Sequence, residues 1–199
     1  MIVLIGDVVA WRAATDRVAL HEARARAIDR VNHDLAPVTP LRITVGDEYQ
    51  GGFDTPGPAL RATLRLRLLL APYDVRHGLG RGEATVLSES PRVEDGSARW
   101  QARAAIDHVA DLQKRAATRS ARTWFADDPA ISAALLTRDE LLGRLDERDL
   151  SVLTGMLDGM SQEEIARALR VSASAVSQRV RRNGLAAIVT ADSLLGEVS

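Results

Sequence analysis

Apolar and polar positions along the chain follow two rhythms, and the change comes near residue 128. Before it, strand-like and helix-like stretches alternate; after it, the spacing is helical throughout. Ile2-Val-Leu-Ile5 is a continuous apolar run ended by Gly6-Asp7, the pattern of a buried central strand. A long helix follows, capped by Thr15 or Asp16, with Val18, Ile28, Val31 and Leu35 at helical spacing and Pro37 and Pro40 stopping it. Leu41–Val45 and Tyr49–Phe53 flank Gly46-Asp47 as a hairpin. Thr55-Pro56 opens a second helix through Leu60, Leu64, Leu68 and Leu69 to Pro72. Val75–Gly80 and Ala84–Leu87 read as short strands, with the glycines of Gly78-Leu-Gly80-Arg-Gly82 making a bend between them. Gly96 to about Arg119 is a third helix with Ala102, Ile106, Val109 and Leu112 inward, and Thr123–Ala126 a last short strand. The order β-α-β-β-α-β predicts an α+β, ferredoxin-like domain whose antiparallel sheet is covered by helices on one face. Asp127-Asp128-Pro129 is the expected linker, dividing the chain into 1–128 and an all-helical 129–199.

The helical third carries the more specific local pattern. Ser161-Gln-Glu-Glu164 spells a capping box, in which the serine hydroxyl takes the amide of Glu164 and that carboxylate reaches back. Ile165, Ala166 and Leu169 follow on one face, Arg170-Val171 makes a turn, and Ser172 caps the next helix, where Val176 and Val180 continue the apolar stripe. Two short capped helices joined by a tight turn predict a helix-turn-helix. The outward face of its second helix offers Ser174, Ser177, Gln178 and Arg181, with Arg179 and Arg182 on the flanks. These side chains reach base edges or phosphates in a major groove. A packed hairpin with a solvated polar face is the plainer alternative, but Ala173–Asn183 contains no acidic residue.

Composition sharpens this picture in few places. The net charge of −1 excludes coating of nucleic acid by bulk attraction, whereas Ser161–Ile188 holds five arginines against Glu163 and Glu164, a local excess of +3. With 0 cysteines, disulfides, thiolate metal sites and a cysteine nucleophile are excluded. No apolar run approaches the length of a membrane span, and no secretory signal pattern opens the chain, so a cytoplasmic protein is expected. His21, His33, His77 and His108 lack ligand spacing, and Trp11, Trp100 and Trp124 are expected to pack in the core.

Asp7 ends the first strand and Asp47 sits in the hairpin. If their strands are neighbours, the two carboxylates converge at one end of the sheet, where they could hold Mg²⁺ or be simple turn residues. The stretches "VLIGDVV", "ITVGDEYQGGF", "VRHGLGRGEA" and "ARWQARAAI" resemble four successive motifs of class III nucleotidyl cyclases, and "VGDEY" also resembles the GGDEF signature of diguanylate cyclases. The resemblance implies a palm-like domain, metal binding by Asp7 and Asp47 with the backbone of Val8, and triphosphate contact by Arg103. It departs at Ile43, where the cyclase pattern has a base-reading lysine, at Arg99, where it has an asparagine, and at Ala10-Trp11-Arg12. Arg99 could still hold phosphate.

Glu147–Thr190, containing "LSVLTGMLDGMSQEEIARALRVSASAVSQRVRRNGL", resembles the DNA-reading module of sigma factors. The whole arrangement resembles the SatD family. The resulting expectation is a DNA-binding transcriptional regulator that reads double-stranded DNA through Ser172, Ser174, Ser177, Gln178, Arg179, Arg181 and Arg182. Its palm would sense a phosphorylated small-molecule ligand or pair into a homodimer. The alternative is a metal-dependent nucleotidyl cyclase, or related phosphoryl-transfer enzyme, with an accessory helix-turn-helix.

Overall fold

The computed structural model describes residues 1–11, 14–44, 46–89 and 92–199, and of residues 89, 92 and 93 the backbone only. Arg12, part of the stretch expected to differ after Asp7, and Val45, expected to end the second strand, lie outside the described residues.

Strand β1 (Ile2–Val8) lies centrally, between β3 (Tyr49–Phe53) and β4 (Val75–Arg81), antiparallel to both. With β2 (Thr39–Ile43) outside β3, the order β2-β3-β1-β4 is that of the βαββαβ arrangement, and β7 (Thr123–Phe125) extends it in parallel with β4. Pro40 does not block β2, an edge strand in which a missing N–H can face outward. Helix α1 (Arg17–Leu35) starts at Asp16, whose carboxylate accepts from the Ala19 N–H at 2.9 Å, and ends on Ala36 in the left-handed region.

The alternation along β1 decides the layers. Ile2, Leu4 and Val8 face a core shared with α1 and α2 (Pro56–Leu69), while Val3 and Ile5 face the opposite side. That side is not open as expected: α3 (Ser97–Leu112) covers it with Ala98, Ala102 and Ile106. Gly78 and Gly80 lie inside β4, within the strand expected over Val75–Gly80. A Cβ on either would collide with the backbone of α3, so two glycines on one strand face let the helix lie against the sheet. The strand predicted after Arg81 belongs to a separate hairpin, β5 (Thr85–Glu89) with β6 (Arg92–Asp95). The third helix stops at Leu112, whose carbonyl accepts from Thr118 Oγ1 at 2.8 Å, and a short 3₁₀ turn follows at Ala116–Thr118.

Asp128, in the short connection after β7, is also a helix cap: its carboxylate accepts from Ala130 and Ile131 N–H groups and starts α4 (Pro129–Leu142). Then come α5 (Glu147–Leu157), α6 (Gln162–Leu169), α7 (Ala173–Arg182) and α8 (Leu185–Gly196). Leucines on nearly every side of α2 are explained by its two contacts. Leu60 and Leu66 join the sheet core, and Leu64 and Leu68 join a second core with Leu153, Ile165, Val176 and Ile188 from the helical part. Each such leucine contributes about 1.5–3 kcal/mol of burial.

The core also encloses polar groups. Tyr49 Oη and His77 Nε2 are hydrogen-bonded at 2.7 Å, both side chains fully buried, and Tyr49 lies across Gly6, where any side chain would clash with its ring. Burial, with Arg138 and Arg67 nearby, holds the His77 pKa down at about 3. An unfolded histidine titrates near 6.5, so between these values the unfolded chain binds the extra proton, and this stability is lost as pH falls. Urea denaturation should show His77→Gln losing less stability than wild type, by about 1.4 kcal/mol for each pH unit below 6.5. Parallel pH profiles for the two proteins would contradict the buried neutral imidazole.

Candidate functional site

The expected residues gather in two places. At the strand end, Asp7 points to the α3 side of the sheet, as do Val3 and Ile5. Directly opposite on β4 stands Arg76, whose Nε and Nη2 donate to Asp7 Oδ1 and Oδ2 at 2.8 and 2.6 Å. This is a bidentate, half-buried pair. The Asp7 hydrogen bonds raise the Arg76 pKa above the ordinary arginine value, and Asp47 pulls the same way. The register places the turn that carries Asp47 at the same end of the sheet as Asp7, whose carboxylate is held by a guanidinium.

The turn carrying Asp47 is held from below by Arg24. That side chain is 0% exposed, stacks 4.8 Å from the Trp11 ring and donates to the Gly46 carbonyl at 2.9 Å. Burial lowers its pKa, and Tyr49 and Asp47 oppose the effect. Arg99 and Arg103 lie along α3 and face the β2–β3 hairpin, where Arg99 donates to Gln50 Oε1 and Arg103 to Glu48 Oε2. Glu94 completes the chain, accepting from Arg42 at 2.9 Å and Gln50 at 3.3 Å. Both arginines expected to hold phosphate are thus already bonded to protein side chains. Val8 turns its side chain into the core.

A Mg²⁺ clamp needs carboxylate oxygens directed at the ion. Both oxygens of Asp7 accept from Arg76, so a metal ion held together with Asp47 would have to compete with that guanidinium for them. Sequence alone did not single out Arg76, because its pairing follows from the β1–β4 register; an Asp ending one strand and an Arg opening another were the available signal.

The second place is α7. The capping box on α6 is present in both directions, Ser161 N–H to Glu164 Oε2 at 2.7 Å and Glu164 N–H to Ser161 Oγ at 3.2 Å. Arg170 takes the left-handed conformation and the Val171 N–H returns to the Ala166 carbonyl at 3.0 Å, closing the turn. Ser172 caps α7 by accepting from the Ala175 N–H. Val176 and Val180 are buried, whereas Ser174, Gln178, Arg181 and Arg182 are exposed and Ser177 is half-buried. Arg179 differs from expectation. It donates to Asp146 at 2.9 Å and Asp149 at 2.6 Å, so it anchors α7 to the start of α5. Of the three tryptophans, Trp124 packs edge-on against His108, but Trp100 is 63% exposed and donates from Nε1 to Asp95.

Residues 1–192 match the sequence profile of the SatD family. The chain belongs to the SatD family. No curated protein matches it in sequence. Among solved structures it is similar to a bacterial light-regulated adenylyl cyclase at 16% identity, covering 62% of this chain and 73% of that one, with a TM-score of 0.44. It is also similar to the catalytic core of a rhodopsin-guanylyl cyclase with converted specificity, at 16% identity over 51% and 68% with a TM-score of 0.41. A third is the regulator of polyketide synthase expression from Bifidobacterium adolescentis, at 18% identity over 98% and 84% with a TM-score of 0.29.

For this SatD family chain the strand-end geometry makes a direct prediction. About 10 mM Mg²⁺ or Mn²⁺ should leave the wild-type Tm within about 1 °C, because the Asp7 carboxylate is already paired with Arg76. Arg76→Ala should uncover the two aspartates and raise the Tm by roughly 2–4 °C on metal addition. A metal-dependent rise in wild type of that size, measured by differential scanning fluorimetry, would show that the carboxylates bind metal despite the arginine.

Proposed function

We propose that this SatD family member is a DNA-binding regulator that reads double-stranded DNA with α7. The observation that carries the reading is the division of α7 into two faces. Val176 and Val180 are buried against the second core, while Ser174, Gln178, Arg181 and Arg182 project outward, with no acid among residues 173–183. Helix α6 and the tight turn at Arg170-Val171 make the pair a helix-turn-helix in this reading, with α7 as the recognition helix. Arg179, tied to Asp146 and Asp149, fixes the helix orientation, and Ser172 is occupied as its cap. A homodimer would double the length of DNA read. The sheet part then serves as the pairing or ligand-sensing body.

The cyclase alternative depends on Asp7 and Asp47 as a metal clamp. The Arg76 pairing supports a structural role for Asp7 and leaves DNA reading as the better reading. Among the described residues no helix is long and apolar enough to cross a membrane.

Fluorescence anisotropy on genomic fragments selected by binding tests this. Gln178→Ala and Arg181→Ala should each weaken the selected site by about 1–3 kcal/mol if they contact base edges. Arg182→Ala should weaken all sequences alike and reduce the salt dependence. A folded Gln178→Ala/Arg181→Ala double variant with unchanged affinity would exclude α7 as the reader.

A further inference from the structure

On the α3 side of the sheet, Ala98, Ala102 and Ile106 of α3 meet Val3 and Ile5 of β1. The β2–β3 half of that face is overhung instead by the β5–β6 hairpin, whose Glu94 accepts from Arg42 of β2 at 2.9 Å and from Gln50 of β3 at 3.3 Å. Between hairpin and sheet lies a cavity of about 210 Å³. Its floor is Val3 and Gly52, register partners on β1 and β3, and its apolar walls include Val38 and Val86. A Cβ on Gly52 would come within 3.1 Å of Met1 Sδ and 3.3 Å of Thr39, so the bare glycine keeps the floor open. Val38 is 53% exposed and Val86 39%, apolar surface that an occupant would take out of water.

Two charged side chains, Asp95 and Arg99, also line this cavity. Asp95 Oδ1 accepts from the Gly96 N–H at 2.9 Å and from Trp100 Nε1 at 2.8 Å, while Oδ2 accepts nothing among the described residues. Nor is Asp95 the cap of α3, which starts at Gly96 without a side-chain cap. Arg99 donates from Nη1 to Gln50 Oε1, which leaves Nε and Nη2 without a partner among the described residues. Both side chains are half-buried, and the unbonded atoms are not enclosed by protein. Among the described residues neither group has a charged partner, and they do not pair with each other. A ligand with a single charge would match one of them and meet its own sign on the other. A zwitterion matches both, an ammonium on the carboxylate and a carboxylate on the guanidinium.

We propose that this cavity binds an α-amino acid with a branched apolar side chain. Its ammonium donates to Asp95 Oδ2, its carboxylate accepts from Arg99, and its side chain fills the space over Gly52 beside Val3, Val38 and Val86. The volume lies below the roughly 300–1,000 Å³ of drug-sized pockets, which suits so small a molecule. Any effect of the amino acid on α7 rests on the DNA-reading proposal; the site itself does not.

The test therefore uses the full chain without DNA. By isothermal titration calorimetry, L-leucine should bind wild type saturably with a dissociation constant of about a millimolar or tighter. Isopentylamine, which is leucine without its carboxylate, and isocaproate, which is leucine without its amine, should each bind at least about tenfold more weakly. Asp95→Asn and Arg99→Gln, each with its Tm measured alongside to show that it folds, should weaken leucine by a similar factor. The two truncated ligands probe the same pairing in wild type, so the test holds even where a variant does not fold. No saturable binding of leucine, equal binding of either truncated ligand, or unchanged affinity in a folded variant would each overturn the assignment. None of these outcomes bears on whether α7 binds DNA.

Discussion

The open edge of β7 is where the two parts of the molecule become one. A parallel edge strand presents unpaired N–H groups on its outer side, and these must find acceptors or face water. Here α4 supplies them. Asp139 Oδ2 accepts from the Arg122 and Thr123 N–H groups, each at 2.7 Å, and Ser132 Oγ takes the Phe125 N–H at 3.0 Å while donating to the Phe125 carbonyl at 2.8 Å. Ser132 and Asp139 lie two helical turns apart, so one face of α4 replaces the missing neighbouring strand. Asp139 is 0% exposed, and Arg67 of α2 donates to its other oxygen at 2.8 Å. One carboxylate thereby joins the sheet edge, α4 and α2. Removing one member of such a buried charge network leaves its partners uncompensated, which typically costs about 3–5 kcal/mol.

From that junction the position of α7 follows. Helix α2 carries Leu64 and Leu68 into the core under α6, α7 and α8. Arg65 reaches Asp158 and the Leu157 carbonyl at the end of α5, and the chain returns to α2 when the Gly57 N–H donates to the Val198 carbonyl. Arg179 then locks α7 to the N-terminal end of α5. The outward face of α7 is held by a frame of packed and hydrogen-bonded supports, so the helix is fixed to the body rather than tethered to it.

Local chemistry was the legible part of the sequence. The apolar run at Ile2–Ile5, Asp16, the Ser161/Glu164 box and the valines of α7 act within a few residues of themselves, and the structure has them as read. What escaped depends on register between distant segments. Gly78 and Gly80 fell within an expected strand, but a glycine does not announce which helix will lie on it. Asp128 looked like a linker residue, although the same carboxylate chemistry makes it the cap of α4. The strand-end position of Asp7 was visible, while the Arg76 opposite it became a partner only once β1 and β4 were aligned. Asp139 and Asp192, both buried, sit in helical patterns where an acid is normally solvent-facing, so nothing local marked them.

The central claim, that the sheet and the helical third form one cooperative unit, has a direct optical test. All three tryptophans precede residue 128, whereas α4 to α8 contribute strongly to far-ultraviolet ellipticity. Equilibrium urea unfolding followed by both signals on one sample should give superimposable transitions with a single midpoint. Helical ellipticity that persists after the tryptophan transition is complete would show that the C-terminal helices fold on their own and that the Asp139 junction does not bind the two parts into one.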